Sequence, residues 1–174
     1  GADLADDLER IATNFGPENI AACIVEPIAG STGTLVPPKG YLQKLRETCD
    51  KHGILLIFDE VITGWGRTGS AFASHEFGVT PDIMTMAKAT TNGVVPMGVV
   101  ACKDEIYDGV MDASPMGSVE LFHGYTYSGI PVAVAAALAV QDIFEKEDIF
   151  ERAKNLAPYF QKGLFSLQDL EAVD

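Results

Sequence analysis

The sequence predicts an α/β fold built on a mostly parallel sheet. Helical patterns alternate along the chain with short apolar runs that have the length of strands. The runs IAACIV and ILLIF are apolar at every position, which is typical of strands buried on both faces of a parallel sheet. Ligands of such sheets bind beyond the carboxyl ends of the strands. We therefore expect a functional site where these runs end.

The first half of the chain is predicted to alternate between helix and strand. Residues 4–15 repeat apolar side chains at helical spacing until Gly16 stops them. The run IAACIVEPI then indicates a buried strand that ends at Glu26. The residues KGYLQKLRETCDKHG predict a helix that stops at Gly53, and ILLIFDEV predicts the next strand.

The second half is predicted to begin with two more strands and to end in helices. The strands are indicated by PDIMTMAKA and PMGVVACKDEIYD. Pro131 suits the first position of a helix, and the alanine-rich run after it is apolar all round, which predicts a buried helix. We expect residues 1–145 to be part of a large domain that is incomplete at its N-terminus. Residues 146–174 would be a helical connection toward a C-terminal small domain.

The composition disfavours several classes of function. The chain has 25 acidic and 12 basic residues, a formal net charge of −13, so binding to nucleic acid or to anionic membrane surfaces is not expected. Cys23, Cys49 and Cys102 lie among apolar neighbours and follow no metal-binding spacing, which predicts reduced and mostly core thiols in a cytoplasmic protein. No apolar run approaches the length of a membrane span.

Chemically reactive side chains follow three of the predicted strands. Glu26, Asp59 and Lys88 come after IAACIV, ILLIF and DIMTMA, whose ends would share one edge of the sheet. A lysine in an apolar pocket is shifted toward its neutral amine, which can attack a carbonyl carbon. A fixed carboxylate can keep a heteroaromatic nitrogen protonated. Pyridoxal 5'-phosphate needs a lysine for its aldehyde and an aspartate for its ring nitrogen, so it is a candidate cofactor.

Two other interpretations remain open on spacing alone. A lysine after a strand is most often a solvated loop residue. The run LLIFDE also matches the strand that holds magnesium in P-loop ATPases. Those enzymes require a phosphate-binding loop, however, and neither GSTGT nor GRTGS has its pattern.

Long segments of the chain carry a family resemblance. VEPIAGSTGTLVPPKGYLQKLRETCDKHGILLIFDEVITGWGRTG, GVTPDIMTMAKATTNGVVPMGVV and LFHGYTYSGIPVA occur in this order. Together they resemble the central part of class III pyridoxal-phosphate aminotransferases, and most of all the omega-amino acid:pyruvate (beta-alanine:pyruvate) group. The resemblance covers nearly all of the chain after Ile20. It implies the large domain of a fold type I enzyme and transamination between an amine or omega-amino acid and a 2-oxo acid, and it disfavours the ATPase interpretation.

The resemblance also implies roles for four residues. Lys88 would form the Schiff base with pyridoxal 5'-phosphate and carry a proton during the reaction. Asp59 would pair with the pyridinium nitrogen, and Val61 would pack against one face of the ring. Thr126 would bond the cofactor phosphate in the neighbouring subunit, which implies a homodimer or a dimer of dimers with shared active sites. Read without the resemblance, Thr126 is an ordinary loop residue.

Other positions are less defined by the resemblance. Glu26 would lie near the site in a supporting role, and Trp65 would belong to the loop or to the pocket wall. Ser31 and Ile62 replace a glutamate and a glutamine that are frequent in other branches of the family, and both changes fit the omega-amino acid:pyruvate group.

The chain is expected to be a central piece of a larger protein. It begins at Gly1 and ends in LEAVD just after a helical region. The resemblance places the turn that holds the phosphate and the aromatic residue that stacks on the ring before Gly1, and the arginine that binds the substrate carboxylate after Asp174. A non-catalytic fragment that needs these regions is therefore the alternative hypothesis.

Overall fold

The fold is centred on a four-stranded sheet. The computed structural model describes residues 1–116 and 124–170. In sequence and in space, the strands run β1, Ala22–Val25; β2, Leu55–Asp59; β3, Ile83–Met86; and β4, Val99–Cys102. β1 pairs with β2 and β2 with β3 in parallel, whereas β4 runs antiparallel to β3. The predicted mostly parallel sheet of an α/β fold is confirmed.

Helices connect and flank the strands. The strand predicted by PMGVVACKDEIYD ends at Cys102, and residues 104–108 of that run begin a helix, so the strand prediction was wrong there because the amphipathic pattern of DEIYD continues into the following residues. In chain order the α-helices of the described residues are α1, Asp6–Phe15; α2, Tyr41–His52; α3, Ala73–Phe77; α4, Asp104–Asp112; α5, Pro131–Lys146; and α6, Ile149–Phe165. None of the helices within residues 1–116 and 124–170 has the length and apolarity needed to cross a bilayer.

The hydrophobic core lies between one face of the sheet and the helices α1 and α2. Leu56 and Phe58 of β2 are fully buried there, together with Ala12 of α1 and Leu42 of α2. Burial of each large apolar side chain contributes about 1.5–3 kcal/mol. Gly53, with φ of +67°, ends α2 in the left-handed conformation and leads directly into β2. The core therefore anchors the central strand, whose end carries Asp59.

The expectation that the strands are buried on both faces was wrong for the outer strands. Ile24 of β1 is 63% exposed and Val100 of β4 is 69% exposed. Both strands lie at the edges of the sheet. Cys102 is likewise exposed at the end of β4, whereas Cys49 is buried and Cys23 half-buried, and all three are free thiols. A core thiol was thus correctly predicted only for the two cysteines near α2.

The expectation of a fully buried helix after Pro131 was also wrong. α5 begins at Pro131 as predicted, but its buried residues are Ala133, Ala137 and Val140. Leu138 is 58% exposed. α5 contacts α6 and the turn that starts at Lys88, so packing covers one stripe of the helix and leaves the remaining apolar side chains open to solvent.

An ion-pair network ties the beginning of β3 to its neighbours. The carboxylate of Asp82 accepts hydrogen bonds from Arg46 Nη1 at 2.8 Å and from the Leu56 amide at 2.7 Å, and it pairs with Lys103 Nζ at 2.7 Å. Burial alone raises the pKa of Asp82, but the bonds from Lys103, the Leu56 amide and Arg46 outweigh it. The pKa of Asp82 therefore lies below its ordinary value.

We expect Asp82→Asn to destabilise the fold by about 1–3 kcal/mol near neutral pH, because three donors lose a charged acceptor. A carboxyl whose pKa is lowered in the folded state contributes stability above its unfolded pKa of about 4, and this stability is lost as the pH falls through the lower folded value. Urea unfolding at several pH values checks this. The parent should lose more stability on acidification than the variant.

The control for this substitution is Asp50→Asn. Asp50 is the second partner of Arg46, at 2.7 Å, but its side chain is 65% exposed. We expect this variant to change the free energy of unfolding by less than about 1 kcal/mol. Equal effects of the two substitutions would contradict the role of the buried carboxylate.

Candidate active site

The ends of β2 and β3 bring two of the sequence-predicted residues to one edge of the sheet. Asp59 is the last residue of β2 and lies opposite Thr85 of β3 in the register of the parallel pair. Lys88 follows three residues after Thr85. With a rise of about 3.3 Å per residue and about 4.8 Å between strands, the α-carbons of Asp59 and Lys88 are within about 11 Å. One small molecule can therefore contact both side chains.

The carboxylate of Asp59 is held through one of its two oxygens. Oδ1 accepts hydrogen bonds from the Val61 amide at 3.0 Å and from Thr85 Oγ1 at 3.2 Å. Within residues 1–116 and 124–170, Oδ2 accepts no hydrogen bond. Asp59 is half-buried. This arrangement orients the carboxylate and leaves one oxygen able to accept a hydrogen bond from a protonated nitrogen of a ligand.

Lys88 lies in a strained turn at the end of β3. Its φ is +49°, in the left-handed region that residues other than glycine rarely adopt. A short 3₁₀ helix, Lys88–Thr90, begins there. Such a conformation costs on the order of 1–3 kcal/mol and persists where surrounding contacts enforce it. The side chain is exposed, so the ammonium group is accessible to a ligand at this edge of the sheet.

A cleft of about 560 Å³ lies at this edge of the sheet. Asp59 and Lys88 are not among its lining residues. Val61 and Thr85, which donate hydrogen bonds to Asp59, line it, and so does Ala87, which precedes Lys88.

Aromatic and apolar side chains form much of the cleft. Tyr125 and Tyr127 of the GYTYS segment line it, together with Ile130. Apolar and aromatic groups thus surround a space whose lining includes the immediate neighbours of a carboxylate and a lysine, and such a lining is typical of small-molecule sites.

The other predicted residues stand at different distances from this cleft. Val61 lines it. Thr126 lies in the chain between two lining tyrosines, but it is exposed and is not itself a lining residue. Trp65 is not a lining residue either, and its indole nitrogen bonds Thr90 Oγ1. The roles predicted for these residues stay predictions.

Glu26 stabilises the loop after β1. Its Oε2 accepts a hydrogen bond from the Gly30 amide at 2.9 Å. A β-carbon at Gly30 would lie 2.6 Å from Cδ1 of Ile62, so this position needs glycine for the loop to approach Ile62. Ile62 is the neighbour of Val61 in the chain. Glu26 therefore supports the cleft indirectly, by holding the loop against the segment that contains Val61.

Glu60 is a structural residue that sequence reasoning did not assign. It is fully buried, and its carboxylate accepts hydrogen bonds from the Ala73 amide at 2.8 Å, the Ser74 amide at 2.7 Å and Thr63 Oγ1 at 2.6 Å. These bonds join the end of β2 to the start of α3. The signal in the sequence was the Asp-Glu pair itself, since successive side chains of an extended chain point to opposite sides.

We expect Glu60→Gln to destabilise the protein by about 2–4 kcal/mol, because the amide of glutamine places donors against donors in a buried position. Chemical denaturation monitored by circular dichroism measures this. Glu76→Gln is the control, since exposed Glu76 accepts a bond from Ser70 Oγ at 3.0 Å. We expect a change of less than about 0.5 kcal/mol there, and a similarly small change for Glu60→Gln would contradict the buried network.

Comparison with known proteins decides the family. The model of the family described as aminotransferase class III matches residues 2–173. This chain belongs to the class III aminotransferases. It is 57% identical over 173 residues to an omega-aminotransferase of Caulobacter vibrioides and 53% identical over 174 residues to a beta-alanine–pyruvate aminotransferase of Pseudomonas aeruginosa. Both alignments cover 99% of this chain and 39% of the relative.

A solved structure agrees with the fold of this aminotransferase chain. The crystal structure of an (S)-enantioselective omega-transaminase from Thermomicrobium roseum superposes with a TM-score of 0.90 at 44% identity. The match covers 97% of this chain and 37% of that protein. The fold is therefore that of the fold type I enzymes which bind pyridoxal phosphate.

The residues of this aminotransferase chain fit the cofactor of its class. Class III aminotransferases depend on pyridoxal 5'-phosphate. That cofactor requires a primary amine for its aldehyde and an anionic acceptor for its ring nitrogen. Lys88 is accessible at the edge of the sheet, and Asp59 retains an oxygen that no described residue occupies. The cleft lined by Val61, Thr85 and Ala87 offers apolar surface for a ring.

Proposed function

We propose that this chain carries the Schiff-base lysine and the ring-binding aspartate of a pyridoxal-phosphate-dependent transaminase. The reaction moves an amino group from an omega-amino acid or another amine to pyruvate or a similar 2-oxo acid. The observation that carries this proposal is the position of Asp59 and Lys88 at the same edge of the sheet, where Val61 and Thr85, the hydrogen-bond partners of Asp59, line a cleft. Family membership of nearly the whole chain supports it.

Each of the site residues has a physical role in this proposal. When bound, pyridoxal phosphate supplies an electron sink for charge that develops on the substrate carbon. Lys88 Nζ would hold the cofactor by condensing with its aldehyde, with release of water, and would carry a proton to and from the substrate carbon. Asp59 Oδ2 would accept a hydrogen bond from the ring N–H and keep that nitrogen protonated, while Val61 would pack against the ring. Thr126 Oγ1 would donate a hydrogen bond to the phosphate of the cofactor in the neighbouring subunit.

The choice of substrate group rests on both the relatives and the cleft. An omega-aminotransferase and a beta-alanine–pyruvate aminotransferase share more than half of their aligned residues with this chain. The glutamine frequent in other branches of the family is replaced by Ile62, which packs against Gly30. An aliphatic side chain there removes a polar group beside Val61.

The assembly and the location of the protein are part of the proposal. A homodimer or a dimer of dimers would let Thr126 of one subunit reach the cofactor of another. The exposed loop that carries Tyr125 and Tyr127, 77% and 80% exposed, supports a partner surface near the cleft. Three free thiols support a cytoplasmic protein. The division into a large domain over residues 1–145 and a connection over 146–174 is proposed on the same basis.

A second candidate is a non-catalytic fragment that needs further regions for activity. The observation that favours it is the length of the chain, which spans 39% of its two relatives. The exposed apolar side chains of α5 and α6, Leu138 and Phe160 among them, agree with surfaces that other segments cover.

Chemical trapping separates the two candidates. Pyridoxal phosphate is mixed with the 174-residue chain and, in parallel, with the natural full-length polypeptide. A lysine amine condenses with the aldehyde and releases water, and borohydride then reduces the carbon–nitrogen double bond to a stable secondary amine. Peptide mass analysis maps the label. We expect Lys88 to be labelled well above exposed lysines such as Lys39 and Lys146.

The outcomes of this experiment are distinct. Labelling concentrated on Lys88 in both polypeptides supports a cofactor pocket formed by this segment alone. Labelling of Lys88 only in the full-length polypeptide supports the fragment hypothesis for the isolated chain. Label scattered over surface lysines in both would overturn the assignment of Lys88.

A further inference from the structure

Trp65 is held in an unusual conformation close to the turn that contains Lys88. Its φ is +62°, in the left-handed region, although it is not a glycine. Its indole ring packs edge-on against Phe72, with centroids 5.2 Å apart, and contacts Phe144 of α5 at 6.1 Å. Strain of this kind is retained where packing and hydrogen bonds enforce it. The side chain is therefore fixed in one orientation.

The indole nitrogen of Trp65 leads by two hydrogen bonds to the residue before Lys88. Nε1 donates to Thr90 Oγ1 at 3.0 Å, and that hydroxyl donates to the Ala87 carbonyl at 3.0 Å. The Thr90 amide donates to the same carbonyl, also at 3.0 Å. Thr90 is 2% exposed, so water does not compete strongly for these bonds.

These hydrogen bonds involve residues on both sides of Lys88 in the sequence. Ala87 precedes it and Thr90 ends the short helix that it begins. The Lys88 backbone, like that of Trp65, is in the left-handed region, with φ of +49°. The hydroxyl of Thr90 accepts one hydrogen bond from the Trp65 N–H and donates another to the Ala87 carbonyl, so Trp65 holds in place the oxygen that bonds the turn. The hydrogen bond from Trp65 therefore stabilises the strained turn.

We propose that Trp65 is a positioning residue for Lys88, acting through Thr90 and the Ala87 carbonyl. This inference rests on the proposed function, since it gives Lys88 the role of the reactive amine. Trp65 does not touch the ligand. It restricts the directions from which Lys88 Nζ reaches the cleft, and it does so through the hydrogen bonds of its N–H group and not through the packing of its ring.

The test uses variants that separate the hydrogen bond from ring packing. Trp65→Phe keeps an aromatic ring and removes the donor, and Thr90→Val removes the hydroxyl at nearly constant volume. Thr90→Ser keeps the hydroxyl and is the conservative rescue. Phe144→Leu perturbs the ring cluster but leaves the Trp65 N–H in place. All are made in the natural full-length polypeptide.

Two measurements report on the turn that contains Lys88, one on its stability and one on the reactivity of the lysine. Amide hydrogen exchange at Thr90 reports its stability without any cofactor, with the Leu56 amide as the internal reference. The rate of trapping of Lys88 by pyridoxal phosphate and borohydride, divided by that of Lys39 in the same digest, reports the reactivity of the amine. Loss of one buried hydrogen bond predicts about threefold to tenfold faster exchange at Thr90 and a similar fall in the labelling ratio.

We expect a change for Trp65→Phe and a change at least as large for Thr90→Val, which removes both hydrogen bonds of the hydroxyl. The double variant should show no further change beyond Thr90→Val, and Thr90→Ser and Phe144→Leu should keep parental values. Parental exchange and labelling in Trp65→Phe would overturn the inference, as would an equal change in Phe144→Leu, which would assign the effect to ring packing. If the parent itself shows no preference for Lys88, the proposed function fails. Exchange at Thr90 then still decides whether Trp65 controls the turn.

Discussion

Replacing Lys88 with alanine is expected to abolish transamination, with a loss of about 1,000-fold or more in kcat. The substitution removes the amine that we propose bonds to the cofactor aldehyde and moves the proton, and each of these roles is worth several orders of magnitude. Steady-state kinetics of the natural full-length polypeptide with an omega-amino acid and pyruvate measure the loss. Spectra and thermal unfolding of the variant show whether its fold is intact.

The matched control for this lysine is Lys39→Ala. Lys39 is exposed and precedes α2, outside the turn at the end of β3, so its substitution should leave kcat within about twofold of the parent. A small primary amine added to Lys88→Ala should restore part of the activity, because it replaces the missing proton-transfer group. Retention of ordinary turnover by Lys88→Ala would remove the basis for the proposed site.

Replacing Asp59 is expected to produce the second largest loss, about 100-fold to 1,000-fold in kcat, because a carboxylate that stabilises charge at the reacting centre is lost. Asp59→Asn is the sharper substitution. Its amide oxygen can still accept the bonds that Val61 and Thr85 donate to Oδ1, so the loop geometry is retained while the negative charge is removed. The loss should fall on kcat more than on KM.

Thr85→Val provides a graded comparison for Asp59. It removes one hydrogen bond to Oδ1, at 3.2 Å, and keeps the charge. We expect about a fivefold to tenfold loss in kcat/KM, the effect of one oriented hydrogen bond. If Asp59→Asn and Thr85→Val have equal effects, the orientation of the carboxylate matters and its charge does not. Normal turnover in Asp59→Ala would contradict the pairing with a ring nitrogen.

Much of the framework of the site could be predicted from the sequence. ILLIF is apolar without interruption because β2 is the second strand of the sheet and contributes Leu56 and Phe58 to the core. A run of this kind that ends in Asp59 indicates a strand end with a functional carboxylate. The three strand ends then place Asp59 and Lys88 near each other, because parallel strands share one edge.

The details around these residues could not be predicted. Asp59 and Glu60 are chemically similar neighbours. Asp59 bonds residues that line the cleft, whereas Glu60 is buried and accepts three hydrogen bonds. Their separation depends on where Ala73 and Ser74 lie, 13 and 14 residues further along the chain. Local patterns of hydrophobicity carry no information about contacts at that separation.

The exposed side of α5 shows the same limit. An alanine-rich helix that is apolar all round predicts burial, because apolar surface is unfavourable in water. Within the described residues, packing reaches only one stripe of the helix, and Leu138 remains exposed. An apolar composition indicates that burial of a surface is favourable. Whether another segment covers that surface depends on how the other elements are arranged.

By itself, the sequence determined the order of the strands, the helices α1, α2, α5 and α6, the residue types at the strand ends and the family. Those properties follow from local periodicity and from long motifs in a fixed order. It did not predict the helices Ala73–Phe77 and Asp104–Asp112. Only the tertiary structure decided that Glu60 stabilises α3, that Glu26 holds a loop against Ile62, and that Trp65 reaches Thr90. These are hydrogen bonds and contacts between segments that the packed core brings together. Their geometry depends on the whole arrangement of the chain.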